Sequence, residues 1–435
     1  MADPYASWGL YPKLPQRAVA LSWRDQAFPA VAGEVLPRGN GRSYGDSCLT
    51  DNGTLIDACG LDRLIAFDPA SGRLTCEAGV LLRDILAFAV PRGWFVPVAP
   101  GTQLVTVGGA IANDVHGKNH HRRGAFGHHL LSFELLRSDG RRIRCTPDGE
   151  TELFQATIGG LGLTGLIVSA ELQLMPVKGA FFDVETIRFD DLGSFFALSA
   201  DSDGTHEYTV AWIDCLARGG ALGRGIFTHA NHASSGGCRA PGAPRRIPLT
   251  PPISPINGLT LRAFNELYYR LPRPRRSLQH FQSFLYPLDS LLDWNRLYGP
   301  RGFLQHQCVV PPASAPHAMR AILGAIAEAG TGSMLAVLKV FGSAPGRGLV
   351  SFARPGTTLA LDFPFGGAST LALLDRLDRI VMEAGGAVYP AKDARMSSEA
   401  FRRGFPDWQK LEAMRDPKVM SAFWRRVTAD TRKDS

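Results

Sequence analysis

Apolar residues in the first third of the chain fall mainly into short runs separated by glycine, proline and aspartate. The runs at residues 34–37, 54–57, 64–67 and 74–77 predict strands with turns between them. Residues 80–90 instead repeat apolar side chains at helical spacing, and Gly93 follows as a stop signal. This part of the chain is therefore predicted to be rich in strands, with a helix inserted.

A clearer pattern begins near residue 300. Strand-like runs at 303–310, 334–341, 358–365 and 387–390 alternate with two helical repeats. The first repeat covers 315–329, and the second can be capped by Ser369 or Thr370 and ends at Gly385. The order β-α-β-β-α-β is the ferredoxin-like split unit, and strands from the 180–230 region can extend its sheet. Alternation in 358–365 places four apolar side chains on one face: Leu359, Leu361, Phe363 and Phe365.

A proline-rich stretch precedes this unit. Residues 229–258 contain six prolines and four glycines, which favours a loop prone to disorder. Residues 271–276 add a basic turn broken by prolines. We therefore expect little packed secondary structure in these two segments.

Composition narrows the class of protein. With 45 % hydrophobic and 20 % charged residues, the 435 positions suit about two to three globular domains. No apolar run approaches the roughly 20 residues of a membrane span, and residues 1–20 lack a signal pattern, which predicts a cytoplasmic location. The net charge of +7 is mild and no nucleic-acid-binding motif accompanies it. Seven scattered cysteines without a CxxC pair predict reduced thiols.

Three glycine clusters carry the candidate chemistry. Residues 37–46 read PRGNGRSYGD, residues 98–121 contain Gly108-Gly109, and residues 157–165 read TIGGLGLTG. Glycines let amide groups turn towards an anion, and Arg38 or Arg42 can add positive charge. Each cluster alone is compatible with an ordinary turn, and none is a phosphate-binding Walker loop or a Rossmann turn. Together they predict one extended, flat, polyanionic cofactor, which FAD fits best.

The second cluster ends in a group of polar side chains at residues 116–121, HGKNHH. Three histidines so close together also suggest a metal site. Only one acidic residue, Asp114, lies near them and no cysteine does, so the pattern favours structural histidines over a metal site.

These motifs resemble a known family. The three glycine clusters are similar to the FAD domain of vanillyl-alcohol-oxidase-type flavoproteins, and HGKNHH with the later YPAKDAR (389–395) resembles the decaprenylphosphoryl-β-D-ribose 2′-oxidase family within it. The similarity covers nearly the whole chain and includes TVAWID (209–214), WNRLY (294–298), FLQHQ (303–307) and LKVFG (338–342).

The resemblance implies an α+β fold in which FAD is bound without a covalent bond. It implies an FAD-binding domain at 1–178, a substrate domain with a ferredoxin-like antiparallel sheet at 179–386, and a C-terminal return to the FAD domain at 387–435. The matching cofactor positions are Arg38, Gly39, Asn40, Gly41, Arg42, Ser43, Tyr44, Gly101, Thr102, Thr106, Gly108, Gly109, Asn113, His116, Gly117, Gly159, Gly162, Ile167, Tyr389 and Lys392.

The implied reaction is oxidation of the ribose 2′-hydroxyl of a polyprenyl-phosphoryl sugar, the first half of an epimerisation towards an arabinose donor. The hydride passes to the flavin, and a base takes the hydroxyl proton. Lys392 is expected to place positive charge beside the flavin, and the base is left open among Tyr44, His116 and Lys392. The expected substrate residues are Trp212, Tyr298, Gln305, Gln307, Lys339, Phe341 and Ala360.

Two departures and several partners complete these expectations. Ala360 stands where some family members carry a cysteine. The basic loops near 242–246 and 273–276 either meet lipid phosphates at a membrane or are simply solvated. The expected partners are the polyprenyl-phosphoryl ribose and an NAD(P)H-dependent short-chain reductase of the keto sugar. The alternatives are an aldonolactone- or alditol-type oxidase of a soluble sugar, and a flavin-binding accessory protein without turnover.

Overall fold

A computed structural model describes residues 3–234, 241–271 and 275–429. Its N-terminal part is built from short strands and helices. In chain order these are β1 (Arg17–Ala20), β2 (Val35–Arg38), β3 (Thr54–Asp57), β4 (Leu64–Asp68), β5 (Arg73–Glu77), α1 (Leu82–Ala89), β6 (Trp94–Phe95), α2 (Val107–Ala112), α3 (His120–Arg123), β7 (Leu130–Leu136), β8 (Arg142–Cys145), α4 (Thr151–Thr157), β9 (Leu166–Gln173) and β10 (Met175–Pro176).

These strands form two main sheets. One is a parallel sheet in the order β1-β3-β2, and the other is an antiparallel sheet in the order β4-β5-β9-β7-β8, while β6 pairs with β10. The four strands predicted here from apolar runs are β2 to β5. The predicted helix is α1, which buries Leu82, Ile85, Leu86 and Ala89 at helical spacing and continues as a 3-10 turn at Val90–Arg92.

The rest of the chain forms a large sheet and the helices that pack on it. Its elements are β11 (Phe181–Phe189), α5 (Leu192–Asp203), β12 (Tyr208–Ile213), β13 (Gly225–His232), β14 (Arg245–Arg246), α6 (Gly258–Arg270), β15 (Arg276–His280), α7 (Phe281–Leu285), β16 (Leu291–Leu292), β17 (Phe303–Val310), α8 (Ala315–Ala329), β18 (Val337–Phe341), β19 (Gly356–Pro364), α9 (Ala368–Glu383), β20 (Ala387–Val388), α10 (Ser398–Gly404), α11 (Trp408–Met414) and α12 (Ala422–Thr428). Further 3-10 turns lie at Asp46–Cys48, Phe126–His129, Gly219–Ala221, Pro287–Ser290, Trp294–Tyr298 and Pro390–Lys392.

The large sheet confirms the predicted ferredoxin-like unit and the α+β class. Its eight strands run in the order β15-β11-β13-β12-β18-β19-β17-β20. The last four are the split unit, with α8 and α9 between its strands, and the strands from residues 181–232 extend it as predicted. β17 and β19 pair antiparallel along their whole length, with Gln305 opposite Asp362 and Gln307 opposite Ala360.

One face of this sheet packs against helices in the hydrophobic core, and the opposite face carries polar side chains. Leu359, Leu361 and Phe363 are fully buried against the helical side, where α8 contributes Ile322 and Ile326. Successive strand side chains point to opposite faces. Thr358, Ala360 and Asp362 therefore face away from the helices, and a polar surface in the middle of a large sheet is left to line a cavity.

Several predicted boundaries need correction. The strand predicted at 387–390 ends at Val388 because a 3-10 turn begins at Pro390, and the strand predicted at 358–365 is Gly356–Pro364, so Phe365 lies beyond it and is only partly buried. The strand predicted from residue 334 begins at Val337, because the Met334 carbonyl accepts a hydrogen bond from the Trp212 indole at 2.9 Å. Neither Ser369 nor Thr370 caps α9, which starts at Ala368. The Thr370 hydroxyl instead closes the preceding turn, accepting from the Gly366 N–H at 2.9 Å.

The predicted loop at 229–258 also needs correction at its start. Residues 229–232 are the end of β13, where Ala230 pairs with both Val184 and Tyr208, so two neighbouring strands hold this segment in the sheet. Further on, β14 and the first residue of α6 fall within the same stretch. Residues 235–240, and residues 272–274 of the predicted basic turn, lie outside the described residues.

The C-terminal helices fasten the segment after β20 to the first glycine cluster. Arg426 of α12 bridges Asp46 Oδ1 at 2.8 Å and Asp393 Oδ2 at 3.0 Å. The Tyr44 N–H donates to the Ala391 carbonyl at 2.9 Å. Residues before β3 and after β20 are thereby held in one place, although they are more than 340 positions apart in the chain.

Candidate functional site

A cavity of about 390 Å³ lies between the N-terminal sheets and the polar face of the large sheet. All but two of the predicted cofactor residues line it, with Gly117 and Gly159 as the exceptions. Of the predicted substrate residues, Gln305, Gln307, Lys339 and Ala360 line it. The fold thus brings together residues that are distant in sequence, from the loop after β2 to the turn after β20.

The first glycine cluster supplies two cations to the cavity. The Arg38 side chain is buried and donates to the Ala6 carbonyl at 3.1 Å, and the Arg42 guanidinium lies 4.2 Å from the Trp8 ring centre. Nε of each arginine is buried without a hydrogen-bond partner. Gly41 has φ +58°, and a Cβ there would lie 2.1 Å from the Arg38 guanidinium. The cluster therefore offers unsatisfied cationic donors, which suit a pyrophosphate.

The second cluster leaves open space where side chains would otherwise stand. Gly109 lies in α2, and a Cβ there would meet only the Thr106 hydroxyl, at 3.0 Å. A Cβ on Gly101 would meet nothing within 4 Å. Both glycines line the cavity, so larger residues would fill the cavity itself. This geometry fits a flat group in close contact with the backbone.

Two predicted cofactor glycines have a different surrounding. Gly117 packs against the Ala99 backbone, where a Cβ would come within 2.9 Å of a carbonyl oxygen. Gly159 has φ +69° and lies against Ser351, 3.2 Å from where its Cβ would stand. Their lack of a side chain is accounted for by these internal contacts. In the third cluster, Gly162 and Ile167 line the cavity.

His116 lies in the middle of the cavity wall as a neutral imidazole. Gln307 Nε2 donates to His116 Nε2 at 2.9 Å, which places the ring proton on Nδ1, an atom without a partner. Burial is the largest cause that holds the pKa of His116 well below 6.5, and the Lys339 charge adds to it. The Tyr389 ring packs 5.4 Å away, and its hydroxyl donates to the Asn113 carbonyl at 2.9 Å.

A buried carboxylate, Asp362, and a buried amine, Lys392, also line the cavity and attract each other. Lys392 Nζ lies 3.6 Å from the centre of the Tyr44 ring, and Asp362 accepts a hydrogen bond from Gln305 on the paired strand. Burial raises the pKa of Asp362 and lowers that of Lys392, while the attraction between the two charges opposes both shifts. Burial also raises the pKa of Tyr44 well above 10, which keeps its phenol protonated.

Asp362 is a site residue that the sequence reasoning missed. It lies two positions after Ala360 in β19, where three of the four predicted apolar face residues, Leu359, Leu361 and Phe363, are buried. Since strand side chains alternate, Asp362 shares the opposite face with Ala360. That alternation was the signal that could have identified it.

Three further basic side chains, Lys339, Lys118 and His120, are buried close to one another. The Lys339 ammonium donates to the Gly117 carbonyl at 3.4 Å, and burial lowers its pKa to about 8. Burial also lowers the pKa of Lys118 to about 7 and that of His120 to about 3. Among the described residues no group of three or more His, Cys, Asp or Glu side chains is placed to hold a metal ion.

Three predicted substrate residues lie beside the cavity lining. Trp212 packs edge-on against Tyr268 at 4.6 Å, and Tyr298 stacks on Phe303 at 4.2 Å. Phe341 is buried 4.8 Å from the His116 ring. None of the three lines the cavity, so in this arrangement they support its walls.

Comparison with known proteins agrees with this geometry. Residues 30–146 match the family model of an FAD-binding domain. The chain is 38 % identical over 402 residues to decaprenylphosphoryl-β-D-ribose oxidase of Mycolicibacterium smegmatis, covering 88 % of this chain and 86 % of that protein. An uncharacterised protein of Streptomyces coelicolor is 37 % identical, covering 78 % of this chain and 96 % of its own. Human Δ(24)-sterol reductase is 32 % identical over 131 residues, covering 30 % of this chain and 24 % of the reductase.

The match to the first of these relatives covers 86 % of that protein. The family model covers the cavity-lining residues from Arg38 to His116. FAD is therefore the cofactor. None of the helices in the described ranges is both long and apolar enough to cross a bilayer. The chain is an FAD-dependent oxidoreductase that belongs to the decaprenylphosphoryl-β-D-ribose oxidase family.

Proposed function

We propose that this enzyme oxidises the ribose 2′-hydroxyl of a polyprenyl-phosphoryl-β-D-ribose to the 2′-ketone. The observation that carries the proposal is the shared cavity. It joins glycine-lined walls and two arginines on one side to Gln305, Gln307 and Lys339 on the other. The 38 % identity to a decaprenylphosphoryl-ribose oxidase supports the choice of substrate.

The FAD contacts follow from the cavity lining. Arg38 and Arg42 would bind the pyrophosphate through guanidinium donors that the protein leaves unpaired. Gly101 and Gly109 would lie against the cofactor. The hydrogen bond from the Tyr389 hydroxyl to the Asn113 carbonyl would fix the orientation of the Tyr389 ring. When bound, FAD accepts the hydride from the carbinol carbon. His116 Nε2 is engaged by Gln307, in line with a flavin that is not bonded to that histidine.

The sugar would be oriented by donors on the sheet. Gln305 and Gln307 lie two positions apart on β17, so both amides point into the cavity, and Lys339 adds an ammonium from β18. Several fixed donors on rigid strands reduce the entropy lost when the reacting carbon is aligned. Ala360 leaves space between them, because its side chain is a single methyl group.

The hydroxyl proton would pass to Asp362. Its carboxylate is buried, Gln305 occupies Oδ1, and Oδ2 is available to accept a proton. Burial raises the pKa of this carboxyl above its ordinary range, which makes it a stronger base than an exposed aspartate. Lys392 would hold its positive charge against the developing negative charge in the cavity. Tyr44, whose phenol stays protonated, and neutral His116 are weaker candidates.

Replacing Asp362 with asparagine tests this assignment. The change keeps the shape and the bond partner Gln305 but removes the proton acceptor, so kcat is expected to fall about 100-fold. The acidic limb of the pH profile of kcat should disappear, because that limb reports protonation of Asp362. Asp375 on the exposed side of α9 provides the matched control, Asp375→Asn, with unchanged kcat. An unchanged pH profile in the Asp362 variant would assign the base elsewhere.

Ala360 predicts resistance to inhibitors that must bond a cysteine at this position. Cys48 lines the cavity, but burial raises its pKa to about 11 and so disfavours the reactive thiolate. Cys308 lies on the opposite face of β17, fully buried, and burial raises its pKa to about 12. Such a compound should leave no adduct on the cavity residues in intact-protein mass spectrometry. The variant Ala360→Cys should gain one adduct per chain. Labelling of a cavity residue in the unaltered protein would refute the prediction.

Anaerobic flavin reduction with a substrate panel tests the proposed function. Polyprenyl-phosphoryl ribose should bleach the bound flavin in a stopped-flow experiment. Free ribose, aldonolactones and alditols should not. Bleaching by a soluble sugar instead would establish the alditol- or aldonolactone-type activity. A flavin that none of these compounds reduces would point to an accessory protein without turnover.

The chemistry of the product defines further partners, which we propose as well. A 2′-keto sugar becomes an arabinose only after a second hydride adds to the ketone, so an NAD(P)H-dependent short-chain reductase should act next. A polyprenyl-linked substrate resides in a membrane, so the enzyme should work at the cytoplasmic surface of the inner membrane without spanning it. No nucleic acid enters this scheme.

A further inference from the structure

Exposed apolar side chains are concentrated on one segment of the molecule. Leu249, Ile253, Leu259 and Leu267 are 76 %, 83 %, 79 % and 66 % exposed. Leu271, which directly follows α6, is 49 % exposed. Among the other described residues, the exposed fraction of a large apolar residue is 45 % at most. Large apolar side chains in contiguous exposed stretches mark interaction surfaces rather than ordinary solvent-facing positions.

The helix in this segment carries two exposed leucines, together with charged residues, on the face that the protein does not cover. Leu261, Asn265 and Tyr269 of α6 point inward at four-residue spacing, and Asn265 and Tyr269 bond to Asp214 and Asp190. Leu259 and Leu267, eight positions apart, lie on the outer side. Because the inward face is already occupied, the outward leucines are not displaced core residues.

The same segment is strongly basic. Among its described residues 245–271 and 275–276, six arginines stand against one acid, Glu266. That glutamate already bridges Arg224 and Arg270. In the described part of the chain Arg245 and Arg262 form no ion pair. Basic residues interleaved with exposed leucines are the pattern of a helix or loop that lies in the interface of an anionic bilayer.

This segment adjoins the wall of the cavity. Strand β14 pairs with β16, whose Leu291 and Leu292 line the cavity, and Arg246 of β14 lines it too while bonding Asp293 at 2.8 Å. On the α6 side, Tyr268 packs against Trp212, whose strand partner Val337 also lines the cavity. A prenyl chain that left the cavity past Arg246 and Leu292 would therefore meet this segment.

We propose that residues 245–271 form a docking surface for an anionic lipid bilayer, with Leu249, Ile253, Leu259 and Leu267 inserted among the lipids and Arg245 and Arg262 at the phosphates. The choice of a bilayer as the occupant rests on the proposed lipid-linked substrate and on the charge of the surface. Docking would bring the cavity wall at β14 and β16 to the membrane surface, so that the sugar head group could enter while the prenyl chain stays in the lipid.

Vesicle co-sedimentation of the full-length holoenzyme tests the surface. The protein should bind phosphatidylcholine vesicles that contain phosphatidylglycerol, bind pure phosphatidylcholine more weakly, and dissociate as salt is added. Leu259→Gln combined with Leu267→Gln should weaken binding about tenfold, and Arg245→Gln with Arg262→Gln should remove the preference for anionic lipid. The control is Leu64→Gln with Ile65→Gln, two exposed residues on β4, with unchanged binding.

A second measurement separates docking from catalysis. A short-chain, water-soluble prenyl-phosphoryl ribose should reduce the flavin equally in the unaltered protein and in the leucine variant. With long-chain substrate in vesicles, only the leucine variant should be slow. Vesicle binding without any flavin reduction would leave the docking surface standing and overturn the proposed substrate.

Other results overturn the docking surface itself. They are absence of vesicle binding by the unaltered protein, and equal binding by the leucine variant. A third is a dimer in light scattering that the leucine variant converts to a monomer, since the surface would then be covered by a second copy of the chain.

Discussion

A leucine in place of Gly109 is expected to give a folded protein that has lost its flavin. Gly109 lies inside α2, where leucine is the better helix former by about 1 kcal/mol. Its Cβ would meet only the Thr106 hydroxyl, so the added side chain enters the cavity rather than the core. Overlap with the cofactor should weaken FAD binding about 100-fold, from an overpacking cost near 3 kcal/mol. The absorbance ratio of purified protein and FAD titration of the apoprotein measure the loss.

The control for this variant is Gly204→Leu. Gly204 follows α5 with φ −78°, and a Cβ there would meet nothing within 4 Å. It should keep full flavin content and activity, and circular dichroism should show native secondary structure in both variants. A Gly109→Leu protein that purifies yellow and active would contradict the assignment of α2 to the cofactor wall.

Replacing Lys392 with methionine should slow flavin reduction about 1,000-fold, the largest catalytic effect expected from a single side chain here. Two losses combine. The cavity loses the positive charge that would oppose developing negative charge, and Asp362 loses the neighbour that lowers its pKa. Burial then acts unopposed, so more of the Asp362 carboxyl is protonated at neutral pH and cannot accept the substrate proton. Stopped-flow bleaching of the bound flavin measures the rate.

Two further measurements distinguish an electrostatic role of Lys392 from a purely structural one. If Lys392 acts through its charge, the reduction potential of the bound flavin should fall in the methionine variant and the acidic limb of the kcat profile should move to higher pH. The FAD content should stay near that of the parent. Lys410→Met, on the exposed surface of α11, serves as control. A slow variant with unchanged potential and pH profile would show that Lys392 acts only through packing.

Much of the fold was predictable because its elements carry strong local patterns. The helix 315–329 was predicted with the same bounds as α8, and the strand 303–310 with the same bounds as β17. Both have long apolar repeats with unambiguous periods. Predictions failed where distant groups decide the outcome. The Trp212 indole bonds Met334 and delays β18, and β11 and β12 hold residues 229–232 as strand although prolines follow.

The candidate site shows the same division. The glycine clusters and the YPAKDAR motif indicated the cavity residues, and nearly all of them line one space. Gly117 and Gly159 did not join them, because a glycine can equally serve close internal packing, here against Ala99 and Ser351. Asp362 was overlooked because a lone acidic residue in an apolar strand has no motif. Only its pairing with Gln305 and the nearby Lys392 give it a chemical role.

The sequence by itself determined the order of the ferredoxin-like unit and pointed to FAD, because periodicity and glycine spacing are properties of neighbouring residues. The α+β class and the reaction followed from the resemblance of its motifs to a known family. Only the tertiary structure decided which glycines open onto the cofactor, which carboxylate stands beside Lys392, and which leucines stay outside the core. Those outcomes depend on burial and on charges brought together from separate elements, and burial is set by packing between elements rather than by any local pattern.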